Sequence, residues 1–85
     1  MMFPRDVRTN GSGIRHVIRN TQDALRFIEE ELPGELKCQP RWTFARDLLL
    51  VAERTEKRRD LNCAYRQLQQ ALRNDLLLDD MMVEG

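Results

Sequence analysis

"DLNCAYRQLQQALRND", residues 60–75, places Leu61, Ala64, Tyr65, Leu68, Ala71 and Leu72 at the spacing i, i+3, i+4, i+7. Arg66, Gln67, Gln69, Gln70 and Arg73 fill the gaps. That period is the signature of an amphipathic helix, and such a helix needs a surface to lie on. The chain itself, a second copy or another protein could supply that surface, and the choice bears on both fold and function.

The preceding stretch, "PRWTFARDLLLVAERTEKRRD" (40–60), offers one. Pro40 is tolerated in a first helical turn, and the spacing predicts a helix over about 41–56. Ala45, Leu48 and Ala52 centre its apolar arc. Phe44 and Val51 flank one side, and Trp42 and Leu49 the other. So broad an arc suits a central helix touching two neighbours. Leu50 falls on the opposite, charged side with Arg46, Asp47 and Arg54, where it would suit a small contact patch. Asp60 is the expected cap of the helix over about 61–75, and the short linker favours an antiparallel pair. Beyond it, "LLLDDMMVEG" (76–85) passes from three leucines, with Leu76 expected buried and Leu77 and Leu78 partly so, to a loose acidic tail over 79–85.

Upstream, "NTQDALRFIEEELPG" (20–34) reads as another helix, over about 21–32. Asn20 is its expected cap, with Asp23 assisting. Ala24, Leu25, Ile28 and Leu32 form its stripe, Phe27 lies at the edge, and Pro33-Gly34 stops it. Glu29, Glu30 and Glu31 stand near its C-terminal end, where the dipole disfavours negative charge. Lys37 or an arginine of the next helix would relieve them. Further back, residues 3–19 hold β-branched residues on both sides of Asn10-Gly11-Ser12-Gly13, a hairpin signal. Its inward face stays open at this stage, because Ile14, His16 and Ile18 alternate with Arg15, Val17 and Arg19 and each set has an apolar claim.

The expected fold is therefore α+β: an N-terminal two-stranded β-hairpin followed by three α-helices packed as a small single domain over residues 1–85. Eighty-five residues leave no room for a second domain, and a core this small gains from association. Charge totals zero, with 14 basic and 14 acidic residues, but it is distributed as a mosaic. Segments 1–28 and 37–73 are net positive; 29–36 and 74–85 are net negative. Arg5, Asp6 and Arg8 interrupt the apolar stretch a secretory signal needs, and no apolar run approaches the length of a membrane span. A cytoplasmic location without membrane association is expected, with Cys38 and Cys63 as free thiols.

In outline the chain resembles the small bacterial proteins grouped as domain of unknown function 982. The likeness is carried by Gly11 or Gly13 ahead of Arg15 and Val17, by Ala24 and Ile28, by Leu32-Pro33 where the family has a Trp-Pro step, and by Ala64, Tyr65, Arg66 and Leu68. It spans roughly residues 5–78. It implies a compact cytoplasmic bacterial protein and brings no activity with it.

The residues argue against catalysis. His16 is the only histidine, and no spacing joins it to Cys38 and Cys63 as a zinc site. Consecutive glutamates splay around a helix instead of converging. "NGSG" lacks the lysine and the length of a phosphate loop. Trp42 and Tyr65 could line a pocket, but aromatic residues at helical spacing usually build a core. The expectation is a non-enzymatic protein-binding or self-assembling module without a cofactor, its partner being itself or another protein. Val17 and Leu50 are the candidate contacts, and the hairpin's open edges offer a route to a shared sheet across a two-fold axis. The alternative is a small nucleic-acid-binding regulator, with Arg8, Arg15 and Arg19 making the hairpin a basic ribbon that a major groove can admit.

Overall fold

β1 (Met2–Thr9) and β2 (His16–Asn20) form an antiparallel pair in the computed structural model, which describes residues 2–9 and 16–75. The expected turn at Asn10–Gly13, the positions of Ile14 and Arg15, the burial of Leu76 to Leu78 and the tail 79–85 lie outside the described residues, as does the side chain of His16. Val7 pairs with Ile18, Arg8 with Val17 and Thr9 with His16; the register then slips before Met2 meets Asn20. Pro4 lies in the slipped segment, and a residue without an N–H is a natural place for a ladder to break.

The Val7–Ile18 pair determines which face of the hairpin turns inward. Both side chains are buried with Phe3 and Thr9, while Arg8, Val17 and Arg19, on the other side of the pleat, are exposed, as is Arg5 in the slipped segment. Thr9 is wholly buried, and its hydroxyl has no hydrogen-bond partner among the described residues. An unsatisfied buried hydroxyl costs about 1–3 kcal/mol. Thr9→Val, which swaps the hydroxyl for a methyl of similar size, is therefore expected to raise the urea midpoint by an amount worth about 1 kcal/mol. A lower midpoint would show that the hydroxyl is paired.

Asn20 caps the next helix as expected. Its extended backbone leads into α1 (Thr21–Arg26), its side-chain oxygen accepts the Asp23 N–H at 2.7 Å, and Asp23 in turn accepts the Arg19 N–H at 3.2 Å. After Arg26 the hydrogen-bond ladder widens into a π-helical turn over Phe27–Glu31, closed by the Leu32 N–H on the Phe27 carbonyl at 3.3 Å. That extra residue in the turn corrects the expected stripe. Phe27, placed at the edge by 3.6-residue spacing, is buried with Ile28, and Leu25 is only half-buried. Leu32 is extended ahead of Pro33 and still buried.

The expected relief of the glutamates is present from both sources. Lys37 Nζ donates to the Glu29 carbonyl at 2.5 Å, and Arg46 reaches the Glu29 carboxylate at 3.5 Å. Lys37 closes a single helical turn, α2 (Gly34–Lys37), inside what the pattern shows only as a connection.

α3 (Pro40–Thr55) and α4 (Arg58–Asn74) form the antiparallel pair that the 60–75 stripe calls for. Each carries a pair of buried alanines seven residues apart, Ala45 and Ala52 on α3 and Ala64 and Ala71 on α4, all with at most 1% of their surface exposed. Leu61, Leu68 and Leu72 complete the α4 face, and Tyr65 packs against Phe3 with ring centroids 5.3 Å apart. The linker is only Glu56 and Lys57, and Glu56 makes the reversal in the left-handed region at φ 56°. One expectation changes as a result. Asp60 is not the cap of α4 but stands inside its first turn, where it accepts from the Thr55 hydroxyl at 2.5 Å. Arg58 and Arg59 fall in the same first turn.

The two long helices are also tied at their far ends. Asp75, at the end of α4, takes two hydrogen bonds from Arg41, from Nε at 3.0 Å and from the terminal guanidinium nitrogen at 2.5 Å. It takes a third from Trp42 Nε1, at 2.6 Å. Trp42 is fully buried, so its N–H has a partner where water cannot reach. The whole is an α+β globule with a radius of gyration of 12.1 Å, near that of a single domain of this length.

Candidate protein-contact surface

With α4 and α1 both packed against α3, its buried arc consists of Trp42, Ala45, Leu49 and Ala52. The expected arc was broader. Phe44 and Val51, placed by the pattern at its flank, are instead exposed at 53% and 42%, and Leu48 is half-buried. Leu50 is exposed at 46%, as its place among charged residues predicts. At 3.6 residues per turn, Phe44, Leu50 and Val51 share the outward half of α3 with Thr43, Asp47 and Arg54. Three of the five large apolar side chains that are exposed among the described residues thus occupy one side of one helix.

No local pattern sets Phe44 and Val51 apart, since the arc is already centred on Ala45 and Ala52 in the sequence. An apolar residue on its own carries no such information, because hydrophobic side chains are common on both sides of a protein surface.

The other candidates are distributed as follows. Val17 lies on the outer face of the hairpin at 42% exposure, opposite Arg8 across the ladder. It also lines a small groove of about 170 Å³ with Ile18 and Phe27 beneath and Asp23, Arg26 and Glu30 around it. Arg8 and Arg19 project from that same outer face, and Arg19 is drawn to Asp6 at 3.7 Å. Arg15 lies outside the described residues. Lys57, Arg58 and Arg59 are all exposed at the α3–α4 reversal.

Trp42 is buried in the core with its N–H on Asp75, and Tyr65 packs against Phe3. Cys38 and Cys63 are free and exposed, and no cluster of three potential metal ligands occurs among the described residues. No described helix is long and apolar enough to cross a membrane. Among the described residues, the ionisation equilibria of Asp75 and Arg41 are displaced. Hydrogen bonding from Arg41, with a smaller contribution from Trp42, holds the Asp75 carboxyl below its ordinary range against the opposing effect of burial; the Arg41 guanidinium is raised in return. That pair ties helix ends together. No family model, curated protein or solved structure matches the chain.

Proposed function

We propose that this chain is a small cytoplasmic protein-binding module, acting by docking and not by catalysis, and that the outward side of α3 is its docking surface. One observation carries this reading: Phe44, Leu50 and Val51, half-exposed together on a helix whose opposite side is fully committed to the core. Apolar side chains gathered on one exposed helix face are what helix-mediated association uses. The rigid support beneath them, an alanine-lined helix pair tied at one end by Asp75, lets the face bind without paying to order itself.

The nucleic-acid reading through Arg8, Arg15 and Arg19 has less support. Arg19 has Asp6 as a neighbour on the same face, and the balanced total charge provides no long-range attraction to phosphate.

The test is affinity capture from native lysate of tagged wild type beside Leu50→Glu, with and without nuclease and at two salt concentrations. A protein held by the wild type through nuclease and salt, and lost from the variant, is the expected result. Equal retention by both would move the surface away from α3. Recovery of nucleic acid that salt removes would favour the arginine ribbon instead.

A further inference from the structure

Asp47 and Arg54 stand between the exposed apolar residues of α3, and neither has an ion pair among the described residues. They are seven residues apart, hence on nearly the same side of the helix and separated by roughly 10 Å. One negative and one positive charge, two turns apart, make a face complementary to itself when a second helix runs the other way. We propose that the partner on this face is a second copy of the chain, with α3 packed antiparallel to its equivalent across a two-fold axis that passes between Leu50 and Val51. This rests on the docking surface proposed above and names its occupant.

The register follows from symmetry. In a two-fold interface, if residue i meets residue j then j meets i. An axis between positions 50 and 51 sets Asp47 opposite the partner's Arg54, and Arg54 opposite the partner's Asp47. Leu50 and Val51 lie on opposite flanks of that line, so each comes beside its own symmetry mate and the apolar contacts are enclosed by an ion pair on either side. In a parallel arrangement Asp47 would meet Asp47 and Arg54 would meet Arg54, and like charges in contact are costly. The antiparallel arrangement is the one that brings opposite charges together at both ends.

The face is one helix wide, so it falls short of the roughly 800 Å² per partner typical of a stable complex. The dimer is accordingly concentration-dependent, forming in the micromolar range or above. Small cores gain from such association, and the Asp47–Arg54 pairs supply the orientation that three apolar side chains alone would leave free.

The experiment is sedimentation velocity on the full chain over a series of concentrations, comparing wild type with Asp47→Arg, Arg54→Asp and the double reversal. All positions are exposed, so folding is retained and is checked by circular dichroism. Wild type should show a monomer–dimer equilibrium. Each single reversal should weaken it by about tenfold or more by placing like charges together, and the double reversal should bring it back to within a few-fold of wild type. A wild type that is monomeric at every concentration overturns the proposal, whether the face is then found covered by another protein or by residues 76–85 of the same chain. In that event, loss of a captured partner from Leu50→Glu would leave the docking reading standing while removing its self-association form. A dimer indifferent to both single reversals also overturns it, and if that dimer is lost in Val17→Pro, the interface belongs to the strand edge. Failure of the double reversal to restore the dimer rejects the antiparallel register.

Discussion

Trp42→Ala is expected to cost about 3–5 kcal/mol, a large part of what an 85-residue domain has to lose. Three consequences of one substitution combine. The largest fully buried side chain disappears from the junction between α3 and its neighbours, the cavity left behind relaxes only in part, and Asp75 loses one of its three donors. Trp42→Phe separates these effects. It keeps most of the ring but gives up the Nε1–H, so a smaller loss of about 1–2 kcal/mol is expected. Because Trp42 is the only tryptophan, unfolding of all three proteins should be followed by far-ultraviolet circular dichroism in urea. A change below about 1 kcal/mol for the alanine variant would mean that the indole is not part of the core.

The second large effect is expected at Asp75. Asp75→Ala leaves the wholly buried Trp42 N–H without its acceptor, which by itself costs about 1–3 kcal/mol, and also releases Arg41. The charge has its own signature in the dependence of stability on pH. The Asp75 carboxyl in the folded protein lies below its ordinary value, chiefly because Arg41 donates to it. The unfolded chain therefore binds the proton more readily than the folded one, and stability contributed by this group rises with pH through that window. It is fully present above the ordinary carboxylate value, about 3.9, and is lost as pH falls through the depressed folded value. Asp75→Asn, which retains an acceptor for Trp42 but cannot ionise, should be less stable than wild type at neutral pH, and the difference should shrink toward the acid end. A gap that stays constant from neutral pH down to acid denaturation would remove the Arg41–Asp75 pair as its source.

Much of the architecture could be read from residues acting locally. Asn20 and Asp23 mark a helix start because their side chains satisfy nearby amides, which requires no knowledge of the rest of the chain. Pro33 and Gly34 mark its end, and the Leu61–Leu72 stripe marks a helix with a buried side. Errors fall where a local pattern admits two geometries. The π-helical turn at Phe27–Glu31 breaks the 3.6-residue period from which the α1 stripe was drawn. Asp60 has the chemistry of a cap, but the two-residue reversal through Glu56 starts α4 three residues earlier and gives Asp60 the Thr55 hydroxyl as a partner. Of the candidate contact face, Leu50 was legible because charged neighbours surround it. Phe44 and Val51 were not, since an apolar residue at the margin of a broad arc turns in or out according to where the neighbouring helix lies.

From the sequence by itself come the α+β class, the order of hairpin and helices, the caps and stops of the first helix, and the pairing of the last two long helices. These depend on interactions between residues a few positions apart, or on the need of each amphipathic helix for cover. Only the tertiary structure decided that Ile18 and not Val17 faces the core, that Asp75 ties Arg41 and Trp42 together across 34 and 33 positions, and that Phe44 and Val51 join Leu50 on the outside of α3. Those outcomes turn on which surfaces meet, and the limited area of a small core cannot cover every apolar side chain that local patterning makes available.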